Sequence, residues 1–514
     1  MKKMKKIFYL ILALFASSNL FANNLIIGTP TYNGTANTLT FTIKWDNCWR
    51  VNSGPTNYDA VWLFVKRQPC GANGIWSHAL LNATPGTHTV TGSFNLVVDP
   101  VTDGMGVFIH RSTSANNQIG SLTTTSSVVL QLTNSYNPDL IGSSSSSDNF
   151  KVMGIEMVYV PQGNFNIGDG RAFNSSNFSN GNTVGALEIN SAKQAAGLGL
   201  YSNYTSKPSY ACVLSLPSAF PLGYNGFYCM KYEINQQQIV DYLNTLNYEL
   251  QAARLAVWGA RYPNVNGTFF SYAVNNYRSE IKVITAGTSN TIPAIFGLAN
   301  AWNAYLPAGY LNWQDLASYL DWCGLRPMTE FEFEKACRGT ETPLANGYPW
   351  GTNIINTSSG GFASQNTSSE SANTAYEGIC WYNWDGGPVR SGFAATTISN
   401  RTQSGATYYG IMEMAGNLYE QCIGGGTGYD YSTFTIANGN GILTVKGLAD
   451  VAGWPESGGL GSGTILRGGG FYTNTGQKSQ MEISDRQFYL GTAENANSTR
   501  NRSIGGRGVR SYSN

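Results

Sequence analysis

The last 92 residues of this 514-residue chain, Ile423 to Asn514, contain no cysteine, and no histidine follows His110. Those absences strip most redox and general-base chemistry from the longer, C-terminal part. Without histidine, neither a Ser-His-Asp triad nor a histidine-ligated iron site can be assembled there. Without a late cysteine, that stretch offers no thiolate nucleophile and no soft-metal ligand. Charge is scarce as well: only 12% of residues are Asp, Glu, Lys or Arg, 31 basic against 30 acidic. No basic stripe stands out, so nucleic-acid binding has no electrostatic support. After the first 22 residues no segment is apolar for long enough to cross a bilayer.

What is present begins with a leader. Lysines crowd Met1–Lys6, an apolar run covers Ile7–Phe15, and the small Ala22 precedes Asn23. That order reads as a cleavable export signal over residues 1–22, too short to span a membrane. The mature chain, with 27 basic and 30 acidic residues, is expected outside the cytoplasm: extracellular, at the cell surface or in the periplasm. Eight cysteines in an exported chain favour disulfides. Cys48 and Cys70 lie early and flank one apolar strand, which predicts a bridge between them. The other six are Cys212, Cys229, Cys323, Cys337, Cys380 and Cys422, and spacing alone leaves their pairing open. No two cysteines have Cys-x-x-Cys spacing, which argues against a thiolate metal site.

Residues 23–133 read as strands, notably Leu39–Trp45, Ala60–Lys66, Gly106–His110 and Ser127–Leu132, punctuated by Gly, Asn, Pro and Thr. A β-sandwich is the economical architecture for this stretch. Trp45, Trp49, Trp62 and Trp76 suit either a sugar-stacking platform or a core, and core is the commoner use of such rings. His78, His88 and His110 lack metal-like spacing. Residues 134–150 contain the run Gly142–Ser147 and read as a flexible linker. Beyond it, residues 151–514 mix a few good helices with long irregular stretches. Asn235 and Gln238 form a capping box ahead of Ile239, Tyr242, Leu243 and Leu246. Asn312 caps a second helix with Leu316, Tyr319, Leu320 and Cys323 on one stripe; Thr329 and Glu332 cap a third after Pro327. Gly170–Ser209, Asn247–Pro307 and Ile423–Gly463 read as loops.

Several motifs then follow one another. MVYVPQGNFNIG (Met157–Gly168) and FYCMKYEI (Phe227–Ile234) precede RPMTEFEFEKACRG (Arg326–Gly339) and YPWG (Tyr348–Gly351). GIMEMAGNLYE (Gly410–Glu420), LRGGGF (Leu466–Phe471) and GVR (Gly508–Arg510) complete the series. In this order the blocks resemble the sulfatase-modifying-factor, or formylglycine-generating-enzyme, family. The resemblance implies an α+β chain in which the β-sandwich is followed by a C-type-lectin-like fold rich in irregular loops. It also implies a bridge between Cys229 and Cys337, whose blocks pack together in that fold. Arg326 and Glu330 are expected to pair beneath the third helix, and Trp350 to sit in the core.

Oxidase members of the family bind copper through two thiolates downstream of the Arg-Gly-Gly block. Here Phe471–Arg486 offers Thr473, Asn474, Ser479, Gln480 and Met481 instead, and Ser511 stands where many relatives carry a further cysteine. Neither copper nor iron is therefore expected. Relatives also hold calcium at the Gly-Asn-x-x-Glu block through two side chains and two backbone carbonyls, which implies Glu413, Gly416, Leu418 and Glu420 as ligands, hard oxygens suited to Ca²⁺. The leading expectation is a non-catalytic binding or structural protein at the cell surface, taking a surface protein or a glycan and no nucleic acid. The alternative is an oxidoreductase using Cys422 or Cys380 at an atypical site. A variable ligand-binding protein is a third reading.

Overall fold

The computed structural model describes residues 24–69, 75–115, 117–135, 148–171, 186–197, 216–255, 277–290, 292–357, 361–373, 376–384, 386–396, 398–424, 429–434, 436–458, 462–486 and 500–512. The export leader, Cys70, Cys212 and the serine run lie outside them. The fold is β-rich with few helices. Its principal early strands are β1 (Thr38–Lys44), β2 (Asp59–Gln68), β3 (Leu96–Pro100), β4 (Val107–Arg111) and β5 (Ser126–Gln131). After the serine run come β6 (Asn149–Val160), β7 (Phe227–Met230), β8 (Arg326–Pro327), β9 (Tyr419–Ile423), β10 (Thr464–Arg467), β11 (Ile504–Gly505) and β12 (Gly508–Ser511). Three helices position the site: α1 (Gln236–Leu243), α2 (Trp313–Trp322) and α3 (Glu330–Arg338).

One eight-stranded antiparallel sheet organises the molecule, in the order β8-β12-β7-β6-β2-β4-β3, with Ser77–Ala79 added on β2. β2 and β6 pair without interruption from Asp59↔Val158 to Gln68↔Asn149. Residues before and after the serine run thus share a sheet. β2 explains why its sequence, AVWLFV, does not alternate. Val61, Leu63 and Val65 face Leu39, Phe41 and Ile43 of β1, in a second sheet built around β1 and β5. Ala60, Trp62 and Phe64 face the opposite way, into a core with Tyr228, Ile239 and Leu316. A strand buried on both faces has no reason to be polar at every second residue. β1, with one face in water, keeps the alternation: Leu39, Phe41 and Ile43 are buried while Thr40 and Thr42 are exposed.

The three helix starts follow their sequence signals. The Asn235, Asn312 and Thr329 side chains accept from the backbone N–H three residues on, and Gln238, Asp315 and Glu332 reach back. Asn247–Pro307 departs from the loop expectation. It holds a helix at Tyr248–Leu255, begun by Asn247 Oδ1 accepting from the Leu250 N–H, and the hairpin Ile281–Thr285 with Ile295–Leu298. Arg326 also chooses a different partner. It binds Glu332 (2.6 Å and 2.9 Å), while Glu330 takes Arg486 (2.8 Å) and Arg467 (3.3 Å). Glu332 closes the capping box, so its carboxylate already lies beside Arg326 at the helix start. Glu330 faces the opposite side, toward β10.

The tryptophans divide by depth. Trp45 and Trp62 are fully buried, donating to Asp59 (3.0 Å) and to the Cys323 carbonyl (2.8 Å), as core rings do. Trp350 is buried too. The cysteine expectation needs correcting. Cys48, Cys229, Cys323, Cys337, Cys380 and Cys422 are all free and buried, so the Cys229–Cys337 bridge is not formed, and Cys70, the partner expected for Cys48, lies outside the described residues. Cys229 and Cys337 sit in one apolar cluster with Val158, Phe333 and Val509, where a thiol packs as a small hydrophobe.

Candidate functional site

The block Gly410–Glu420 runs into β9 and lies against the chain's last strands. Arg507, wholly buried, sits at its centre. Its Nε donates to both oxygens of Glu420 (2.9 Å each), and Nη2 lies 2.6 Å from Oε1. Its remaining donors go to the carbonyls of Met230 (3.0 Å), Lys231 (3.2 Å), Met412 (2.8 Å) and Glu413 (3.3 Å). Burial works against the guanidinium charge, but the Glu420 carboxylate beside it raises the arginine pKa further. Glu233 accepts from Asn417 (2.7 Å) and from the Leu418 N–H (2.8 Å). Glu413 accepts from the Gly392 N–H (2.9 Å), and burial, opposed by Arg507, pushes its carboxyl up to about 7.

The four residues expected to hold calcium are therefore near one another but do not fit that ion. Both oxygens of Glu420 already face a fixed cation, and a divalent ion there would be repelled by Arg507. Gly416 and Leu418 would offer only backbone carbonyls, and each residue also has a structural use. The Gly416 φ is 76°, and a Cβ would strike Cys380 Sγ and lie 2.7 Å from the Trp381 carbonyl, so only glycine fits. The Leu418 side chain is core.

The stretch where oxidase relatives place their thiolates is closed by hydrogen bonds. Tyr419 shares its hydroxyl with Thr473 (2.8 Å) and donates to Gln480, while Thr473 accepts from the Gly470 N–H (3.1 Å). Asn474 caps a 3₁₀ turn, Thr475–Met481, and Met481 is fully buried. Ser511 accepts from Arg326 (2.9 Å). Burial holds every described thiol above its ordinary pKa, Cys229 at about 12 and Cys422 well above the usual range.

Two cavities flank a second buried charge cluster that the motifs did not reveal. Lys231, just past β7, lies 3.2 Å from Glu156 Oε2 and 3.6 Å from Asp59 Oδ2, and donates to the Asn47 carbonyl (3.3 Å). Its ammonium also stands 4.8 Å above the Trp49 ring. Burial opposes its charge, yet Tyr232, Glu156 and Asp59 around it raise its pKa. The Glu156 carboxyl is pushed up to about 7 by burial, against the pull of Lys231. The signal was charge inside apolar runs: Glu156 alone in MGIEMVYV, and Lys231 with Glu233 in FYCMKYEI. On one side lies a cavity of about 430 Å³ whose lining includes Trp49, Asn57, Asn400, Thr407, Tyr408 and Tyr409. Trp49 donates to Asn57 (3.4 Å), which donates to the Tyr409 carbonyl (2.8 Å), so early and late parts of the chain meet there. On the other side lies a cavity of about 360 Å³ between β6, α1 and α2.

A family profile described as "Sulfatase-modifying factor enzyme 1-like domain" matches residues 144–511. No curated protein matches the chain. Among solved structures it is similar to the Major Tropism Determinant U1 Variant, at 11% identity and a TM-score of 0.22, over 84% of this chain and 85% of that one. The Major Tropism Determinant M1 Variant is similar at 12% identity and a TM-score of 0.23, over the same shares of the two chains.

Proposed function

The chain belongs to the sulfatase-modifying-factor family, and from that premise we propose that it is a non-catalytic binding protein, exported to the cell surface or beyond. The observation that carries this reading is the closed stretch Phe471–Arg486. Thr473, Gln480 and Met481 occupy it, bonded or packed, where copper would need two thiolates. Soft-metal chemistry has no other obvious seat, because the described thiols are buried and held in the neutral form. That same burial weighs against the oxidoreductase alternative with Cys380 or Cys422 as nucleophile. In fold terms the reading pairs an N-terminal β-sandwich with a C-type-lectin-like domain, joined through the shared sheet.

The ligand is a glycan or a loop of a surface protein, and the 430 Å³ cavity is the place for it. Half-buried Trp49 and the two tyrosines offer ring faces, and Asn57, Asn400 and Thr407 offer polar groups of both hydrogen-bonding senses. Calcium at Glu413, Gly416, Leu418 and Glu420 is not part of this proposal, since Arg507 already provides the positive charge. The test is a mass measurement. The mature chain is incubated with copper, oxygen, a reductant and a sulfatase-type cysteine peptide. The peptide should keep its mass; conversion of its cysteine to the aldehyde at a catalytic rate would return the oxidase reading to first place.

A further inference from the structure

The 360 Å³ cavity has an unusual chemical lining. Glu156, Glu233 and Asp241 are among its lining residues with Tyr232, Tyr305 and Trp322, and among the described residues no Lys, Arg or His lines it; the Lys66 ammonium stands 4.9 Å from the Trp322 ring. Glu156 is only 6% exposed. One of its oxygens is on Lys231, and the other, Oε1, is buried with no hydrogen-bond partner among the described residues. A buried carboxylate oxygen left unpaired is costly. Lys231 serves Asp59 as well, so two carboxyls share one ammonium, and with both ionised the cluster carries a surplus negative charge.

Either a proton or a cation entering the cavity would neutralise that surplus. A hard metal ion is a poor occupant, because it needs several converging oxygens. Glu233 has both oxygens committed to Asn417 and the Leu418 N–H, and Asp241 accepts from Gln237 (2.9 Å). An organic ammonium needs fewer oxygens and gains from aromatic faces. We propose that this cavity binds a small organic ammonium ion, with Glu156 as counter-ion and the rings of Tyr232, Tyr305 and Trp322 as its walls. The proposal does not rest on the glycan or surface-protein reading, which uses the other cavity. A free quaternary amine and the lysine head of a protein partner share this chemistry.

The groups facing Glu156 are Lys231, Asp59 and Asp46, with the Tyr232 phenol alongside, while Asp241 shares the cavity lining and faces Lys151. Binding of a cation requires the ionised carboxylate, so affinity should drop as pH falls from 8 to 6. The experiment is calorimetric titration of the mature full-length chain with choline, with n-butylammonium and with 3,3-dimethylbutan-1-ol, the uncharged match to choline in shape. Choline or butylammonium should bind at least about tenfold more tightly than the alcohol. A preference for choline points to a free quaternary amine, and a preference for butylammonium points to a lysine side chain. Glu156→Gln should weaken binding about tenfold and remove its pH dependence. Asp241→Asn, at the cavity edge, should weaken it roughly twofold to threefold, and decides the matter if the first variant does not fold. Equal binding of the alcohol, no binding at concentrations on the order of 10 mM, or binding indifferent to Asp241→Asn and to pH would overturn the proposal.

Discussion

Glu420 and Glu156 are both buried carboxylates facing a buried cation, and they differ in how completely they are answered. Glu420 meets a planar guanidinium that covers both of its oxygens, and Arg507 spends its other donors on four carbonyls. Glu156 meets an ammonium shared with Asp59, which covers only one oxygen. Arginine's fork fits a carboxylate edge to edge, whereas lysine is a point charge. The first arrangement closes a site and fixes the C-terminal strands against the Gly410–Glu420 block. The second leaves a charge open beside a cavity. Structure is built at one and binding capacity is retained at the other.

The sharpest way to break this contrast is to remove the answering charge where it is complete. Arg507→Met would leave Glu420, Glu233 and Glu413 buried together, and should cost about 3–5 kcal/mol in denaturant unfolding. A loss under about 1 kcal/mol would mean that Glu420 simply takes up a proton and that the pair is not structural. Gly416→Ala tests the same block through its backbone. Positive φ and the clash with Cys380 and Trp381 predict a loss of roughly 2–3 kcal/mol, and a neutral result would show the turn can relax.

At the open site the expectations are smaller. Glu156→Gln should change stability at pH 7.5 by no more than about 1 kcal/mol, because an unpaired oxygen and a surplus charge are lost together. The pH profile sharpens the point. Glu156 and Glu413 both have folded-state values raised to about 7 by burial, above the ordinary carboxylate range. The folded chain therefore holds more protons than the unfolded one between those limits, and their contribution to stability declines as pH rises through that window toward 7. A shallower decline in Glu156→Gln is expected, and an unchanged profile would place the titration elsewhere. Smallest of all, a calcium chelator should leave the melting temperature where excess calcium leaves it; a rise with calcium would reinstate the ion at Glu413 and Glu420.

Local features were readable before the fold was known. The alternation in β1, the helix caps at Asn235, Asn312 and Thr329, and the core use of Trp45 and Trp62 each depend on near neighbours or on one face of one element. Features set by distant partners were not. β2 and β6 pair across the serine run, and nothing local in either strand states the partner. Arg326 had two glutamates within helical reach, and the choice of Glu332 depended on the far side, where Arg467 and Arg486 claim Glu330. The partner of Glu420 was hidden for the same reason: Arg507 lies 87 positions away in sequence. Lys231 and Glu156 were visible as charges in apolar runs, but their shared cluster and its two cavities are products of the sheet.

The central claim is that this chain keeps its family's scaffold without the family's thiolate metal site. Titration of Cu(I) against a chromophoric chelator on the native, mature protein tests it most directly. The account predicts that the chelator keeps the copper, because the described cysteines are buried and protonated and Phe471–Arg486 offers a single thioether. Stoichiometric withdrawal of one Cu(I) per chain, lost again on thiol alkylation, would contradict it.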